Sequence, residues 1–143
     1  MENNALITLV GKNVVDGEED SFELTTCGKY TKQNGKYFVS YEGSELTGYE
    51  NTTTTLKIQK DYVSMIRFGK TMGSSQMIFE ENKQYTGVYR TPHGNLTVDV
   101  KTNEMTVDVD DEGGVVELDY FIRLNSCEPV RNNLKVQIRK VEQ

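Results

Sequence analysis

Apolar and polar residues alternate along most of this chain. The alternation is strict at residues 96–100, 105–109, 116–120 and 134–138. A period of two places every second side chain on the same face of a strand. The pattern therefore predicts an all-β, antiparallel protein.

Turn signals divide the alternation into short pieces. Asn34-Gly35 is the strongest hairpin signal, because both central residues of a type I′ turn need positive φ. Residues 91–94 place Pro92 at the second position of a turn, and residues 16–20 are typical of a polar loop. The later turns, near residues 93, 103 and 113, have the spacing of a sandwich or barrel. The predicted strands cover residues 5–15, 21–33, 36–41, 52–59, 62–68, 76–80, 83–90, 95–101, 105–109, 115–124 and 130–141.

A sheet built from consecutive hairpins has two edge strands, whose outer backbone N–H and C=O groups are unpaired. Closure into a barrel removes the edges, whereas a two-sheet sandwich only hides them. We therefore expect an up-and-down β-barrel of about 8–10 strands, formed by residues 1–143 as one domain. A short helix within residues 5–11 or 69–75 is the remaining alternative for those two segments.

Charge and hydropathy argue against two classes of binding partner, nucleic acids and membranes. The chain has 16 Lys and Arg against 22 Asp and Glu, a net charge of −6, which does not favour nucleic acid. Arg123, Arg131, Lys135 and Arg139 form either a local basic patch or ordinary solvated strand faces. No apolar run is long enough for a membrane helix, and no secretion signal is present, so we expect a cytoplasmic protein without a membrane partner. A signal already removed would give the same pattern.

The sequence contains no recognisable catalytic or metal-binding motif. Cys27 and Cys127 lie in no Cys-x-x-Cys pair and are expected to be free thiols, and His93 is the single histidine. Residues 108–119 match part of a calcium-binding loop, but the flanks alternate with period two where that motif requires helices. An acidic hairpin turn at residues 110–114 fits better. No catalytic residue, metal or cofactor is expected.

Polar residues that alternation turns inward are the best candidates for a binding site. Val63, Met65 and Arg67 share one face of their strand, so either Arg67 points into the barrel or its face is covered by another segment. A cavity walled by tyrosines and aliphatic side chains with a few polar groups is typical of a ligand site, and an arginine favours a carboxylate or phosphate. The predicted ligand-binding residues are Tyr41, Glu45, Arg67, Gln76, Tyr89 and Arg90. The alternative is that Arg67 pairs with Glu45 or Glu80 while the tyrosines fill a solid core.

Six segments in matching order resemble the YwiB-like family of bacterial proteins. They are Gly-Ser-Glu-Leu-Thr-Gly at 43–48, Thr-Thr-Thr-Thr-Leu-Lys-Ile at 52–58, Ile-Arg-Phe-Gly at 66–69, Ser-Gln-Met at 75–77, Thr-Pro-His-Gly at 91–94 and Arg-Asn-Asn-Leu-Lys-Val at 131–136. The resemblance implies a calycin-type barrel akin to the lipocalins, and it supplies no function and no functional residues.

Three departures from calycin and family patterns are visible in the sequence. The chain has no tryptophan, although lipocalins carry one in their first strand. Its last strand lacks the Arg-x-Tyr of fatty-acid-binding relatives, and His93 stands where relatives of this family tend to have tyrosine. The resemblance therefore does not support carboxylate-lipid binding by the mechanism of those relatives.

Three functions remain open from the sequence. The first is a small barrel that holds an anionic or amphipathic small molecule in its interior or mouth. The second is a structural or protein-interaction module whose partner is unidentified. The third is an enzyme, which is the least favoured because no residue stands out as a nucleophile.

Overall fold

A closed barrel of antiparallel strands forms the structure. The computed structural model describes residues 3–43, 52–69, 73–125 and 127–141, and these residues contain no helix. The ten strands are β1 (Ala5–Val15), β2 (Glu18–Gln33), β3 (Lys36–Glu42), β4 (Thr52–Gln59), β5 (Tyr62–Gly69), β6 (Gly73–Phe79), β7 (Gln84–Thr91), β8 (Gly94–Asp110), β9 (Gly113–Leu124) and β10 (Val130–Lys140).

Each strand pairs with its neighbours in sequence, and β1 closes the ring by pairing with β10. Because every connection joins adjacent antiparallel strands, this is an up-and-down barrel. The predicted all-β barrel is confirmed. The relationship to calycins and lipocalins stays a prediction.

The first hairpin is tighter than the sequence indicated. Asp16 and Gly17 have φ of 53° and 78°, the conformation of a two-residue hairpin turn, and β2 begins directly afterwards at Glu18. The predicted loop at residues 16–20 was therefore wrong. Asn34 and Gly35, with φ of 54° and 79°, confirm the predicted second hairpin.

The predicted turn near residue 103 was also wrong. β8 is one continuous strand, and its register with β9 shifts between Thr102 and Glu104. An extra residue is absorbed there as a β-bulge, which breaks the alternation without ending the strand. The helix considered for residues 5–11 is likewise absent, because β1 covers that segment.

The core lies inside the barrel. Inward-facing side chains from the strands form a single apolar cluster, and the fully buried members include Ile7, Val39, Leu56, Phe79 and Val116. The alternation seen in the sequence is what supplies one inward side chain at every second position.

One end of the barrel is closed by two stacked tyrosines, Tyr30 and Tyr37, which we call the tyrosine plug. Their rings lie 5.3 Å apart and nearly parallel. The buried Tyr30 hydroxyl donates a hydrogen bond of 2.7 Å to the backbone oxygen of Asp110, and the Tyr37 hydroxyl donates one of 2.6 Å to Asp111 Oδ1. Because β2 and β8 are not neighbours in the barrel, these bonds tie opposite walls together.

The tyrosine plug predicts a loss of stability in alkali. Burial, and then the negative charges of Tyr37, Asp110 and Asp111, raise the pKa of Tyr30 well above its usual 10.0. The native state therefore keeps this proton where the unfolded chain loses it, so stability is full below about pH 10 and declines as the pH rises further. Urea unfolding followed by circular dichroism at rising pH should show this decline, and Tyr30→Phe should make it shallower. An identical pH dependence in the variant would show that the decline in stability does not come from the Tyr30 hydroxyl.

Alanine substitutions at two glycines with positive φ should lower the free energy of unfolding by different amounts. A Cβ at Gly114 (φ +146°) would lie 2.0 Å from the backbone oxygen of Asp108, whereas one at Gly94 (φ +125°) would meet nothing within 4 Å. Gly94→Ala should therefore cost only the backbone strain, about 1–2 kcal/mol. Gly114→Ala should cost about 3 kcal/mol or more, or prevent folding, since backbone must also move. Equal losses in urea unfolding would contradict this account.

Candidate functional site

A row of polar side chains crosses the inner wall of four neighbouring strands. Tyr41 of β3 is aligned with Thr54 of β4, Thr54 with Arg67 of β5, and Arg67 with Ser75 of β6. Side chains at directly opposite positions lie about 5 Å apart, so these four form a continuous row. We call this row the polar belt.

Tyr89 extends the polar belt onto β7. Ser74 of β6 is aligned with Arg90 of β7, so Ser75 and Tyr89 are the next residues along the two strands. Tyr89 is partly buried and lies on the inner side of its strand, like Tyr85. The polar belt thus contains four hydroxyl groups beside the Arg67 guanidinium, on Tyr41, Thr54, Ser75 and Tyr89. Each hydroxyl can both donate and accept a hydrogen bond.

Part of the polar belt faces a cavity of about 540 Å³ inside the barrel. Tyr41, Thr54 and Arg67 line it on one side. The facing wall is mostly apolar and comes from β1, β9 and β10. Its side chains are Leu9, Ile122, Val130 and Leu134, with Asn13 and Asn132 as polar members.

The floor of the cavity is formed by large, well-packed side chains. Tyr120 and Met77 line it, and the Tyr120 ring meets Phe79 edge-on with centroids 4.8 Å apart. Met77 and Phe79 are buried, at 6% and 0% exposed. This layer separates the cavity from the tyrosine plug.

An aromatic ring lies at the rim of the cavity. Phe22 of β2 is aligned with Gly11 of β1, and a Cβ at Gly11 would lie 2.3 Å from the Phe22 ring. The absence of a side chain at Gly11 is what makes room for the ring. Lys12 and Asp20, one charge of each sign, also line this side.

The structure brings together part of the predicted site. Tyr41 and Arg67 line the same cavity, and Tyr89 lies on the inner face two strands away from Arg67. Of the two alternatives for Arg67, its inward orientation is the one observed, since it shares a face with the buried Val63 and Met65. Glu45 lies outside the described residues.

The expectation that Gln76 and Arg90 point inward was wrong. The inner positions of β6 are Ser75, Met77 and Phe79, so Gln76 falls on the outer face and is exposed. Arg90 is exposed on the outer face of β7. The sequence left the facing of these two strands open, because both of their faces carry apolar residues.

The alternative partner Glu80 is engaged elsewhere. Its carboxylate accepts a hydrogen bond from the Tyr85 hydroxyl and lies 2.9 Å from Lys83 Nζ. The bond from Tyr85, followed by that from Lys83, holds the pKa of Glu80 below its usual value.

Thr54 and Ser75 were missed by the sequence analysis. Both lie in segments whose serines and threonines are also compatible with solvent-facing strand positions. Only the register across β4, β5 and β6 shows that they flank Arg67. Asn13 and Asn132, aligned on β1 and β10, were missed for the same reason.

Two of the three arginines considered for a basic patch, Arg123 and Arg131, are paired with carboxylates. Arg123 Nη2 lies 2.8 Å from Asp99 Oδ2, and Arg131 Nη2 lies 2.7 Å from Asp119 Oδ2. Hydrogen bonds from Thr86 and then Arg123 lower the pKa of Asp99, and one from Arg131 lowers that of Asp119. The outer face here is a mixed-charge surface.

Other candidate groups do not form a reactive centre in the part of the chain that the structure describes. Cys27 and Cys127 are exposed and not bonded to each other, and His93 is exposed in its turn. Within the same residues, no three His, Cys, Asp or Glu side chains are grouped as metal ligands would be. Asp111 and Glu112 form the β8–β9 hairpin turn, which lies within the acidic turn predicted at residues 110–114.

Among the described residues there is no helix with the length and apolarity needed to cross a lipid bilayer.

Known proteins with similar sequence and structure share this barrel. The chain is 25% identical over 139 residues to the uncharacterized beta-barrel protein YwiB of Bacillus subtilis (strain 168), covering 95% of this chain and 94% of that protein. The crystal structure of the ywiB protein from Bacillus subtilis superposes with a TM-score of 0.82 at 19% identity, covering 98% of this chain and 93% of that chain. The model of a domain of unknown function, DUF1934, matches residues 7–136. This chain belongs to the DUF1934 family.

Proposed function

We propose that this chain is a small-molecule-binding barrel whose interior cavity holds an anionic, amphipathic ligand. The single observation that carries the proposal is the Arg67 guanidinium on the wall of a cavity of about 540 Å³. Ligand cavities in proteins commonly measure about 300–1,000 Å³ and combine apolar walls with a few polar groups.

The two walls of the cavity favour a ligand with two different ends. A carboxylate, sulfonate or phosphate would lie against the polar belt, where Arg67 offers a planar, charged donor and Tyr41 and Thr54 offer hydroxyls. An apolar body would lie against Ile122 and Val130 on the facing wall.

Arg67 is a charged residue among buried apolar neighbours on the inner face of β5. Its neighbours along the inner face of β5, Val63 and Met65, are 0% and 1% exposed. Removing a guanidinium from water costs free energy that an aliphatic side chain there would not cost. A guanidinium in these surroundings supports the proposal that the cavity recognises an anion.

Other expectations from the sequence keep the status of predictions. These are the calycin relationship, a cytoplasmic location, and the absence of nucleic-acid and membrane partners. A protein-interaction role is the alternative function, and the binding experiment below decides between it and the ligand-binding barrel.

Two fluorescent probes with the same apolar body test the proposal. Anilinonaphthalene sulfonate (ANS) carries an anion, and N-phenylnaphthylamine lacks it. ANS should bind the native protein saturably, and Arg67→Gln should weaken this binding about 10- to 100-fold, since charge-assisted hydrogen bonds contribute about 1.5–3 kcal/mol. The same variant should leave N-phenylnaphthylamine binding within about twofold.

The matched control is Arg139→Gln, which removes an equal charge from an exposed position on the outer face of β10. It should leave the binding of both probes unchanged, because the effect of Arg67 is local and not one of net charge. Absence of saturable ANS binding, or an equal loss in both arginine variants, would contradict the proposed function.

A further inference from the structure

The junction between β6 and β7 differs from the rest of the barrel wall. Every other pair of neighbouring strands is aligned over six residues or more, whereas the described residues of β6 and β7 are aligned only at Ser74 and Arg90. Backbone pairing is what holds adjacent strands of a barrel together. The wall is therefore weakest here.

Both ends of this weak junction are fixed. Ser74 and Arg90 pair at one end. At the other end Lys83 N donates to Glu80 O at 3.0 Å, and Asn82 N donates to Thr102 O of β8 at 2.9 Å. The weak part of the wall is therefore a slit between Ser75–Phe79 on one side and Gln84–Tyr89 on the other.

A second cavity, of about 380 Å³, lies along this slit. Outward-facing Ile66, Gln76 and Val88 line it, and so do inward-facing Met77 and Val98. Residues of both faces of β6 line this cavity, and so do the buried Val98 and Val100 of β8. The slit cavity therefore lies at the gap between β6 and β7.

Met77 lines both the slit cavity and the interior cavity. Methionine is unbranched and flexible, so it can change rotamer without moving the backbone. On the opposite side of the slit, Gly87 has no side chain, and a Cβ there would lie 3.0 Å from the backbone oxygen of Gln76. Met77 is thus the residue common to the linings of the two cavities.

The outer side of the slit has the chemistry of an entrance for an amphipathic molecule. Ile66 and Val88 beside it are 44% and 45% exposed, and Phe68 of β5 is 64% exposed. Apolar surface of this kind attracts the apolar part of a ligand, while the exposed Arg90 lies at the fixed end. We propose that the β6–β7 slit is a lateral entrance to the interior cavity, with Met77 as its movable barrier. What passes through it rests on the proposed function.

Cross-linking the slit tests this entrance. In a parent with Cys27→Ser and Cys127→Ser, the pair Gln76→Cys and Val88→Cys would be joined by dibromobimane, because both residues face outward, two positions from the Ser74–Arg90 pair. The control pair is Ser40→Cys with Thr55→Cys, aligned on β3 and β4 with hydroxyl oxygens 3.0 Å apart.

The first measurement needs no ligand. Dilute hydrogen peroxide oxidises methionine that becomes accessible, and peptide mass spectrometry gives the rate at each methionine. Met77 should oxidise faster than Met65, and the slit cross-link should slow Met77 about tenfold or more by preventing local opening. The control cross-link between β3 and β4 should leave the oxidation rate of Met77 unchanged. An unchanged rate at Met77 would overturn the proposal, because solvent would then reach it from the end of the barrel.

The second measurement follows ANS by stopped flow. The slit cross-link should slow ANS association and dissociation by about tenfold each and leave the equilibrium affinity unchanged, since a barrier affects rates only. Unchanged rates would overturn the lateral entrance. Absence of ANS binding in the parent would contradict the proposed function, while the Met77 rates would still decide whether the slit opens.

Discussion

The closed backbone register is the constraint on which the rest of the structure depends. Ten strands pair in chain order, and the ring is completed by pairing along nearly the whole length of β1 and β10. Once the ring closes, the face of every residue is fixed by alternation. The position of Arg67 opposite Thr54 and Ser75 follows from this register, as does the cavity that it lines.

The two ends of the barrel have different chemistry because their inward residues differ. At one end the stacked Tyr30 and Tyr37 bond to the β8–β9 turn and fill the interior. At the cavity, small residues such as Gly11 and Thr54 take inward positions where large apolar side chains would fill the space. The close packing at the tyrosine plug stabilises the fold, and the small residues at the cavity leave volume for a ligand.

The sequence predicted the barrel well and the site only in part. Alternation identifies strands, but a break in the alternation is the same for a turn and for a bulge. The break near residue 103 therefore predicts a turn, whereas the structure has a bulge at Asn103. It also cannot decide the facing of a strand with apolar residues on both sides, which is why Gln76 and Arg90 were placed inside. Arg67 was identified because a charge among buried aliphatics is unusual, whereas Thr54 and Ser75 carry no such signal until the register is known.

Native mass spectrometry of the protein purified from its own cells tests the central claim most directly. The account predicts one small acidic molecule bound per chain, released on unfolding and lost in Arg67→Gln. A bare polypeptide mass for the wild-type protein, or an adduct retained equally by Arg67→Gln, would contradict the claim that the polar belt holds an anionic ligand.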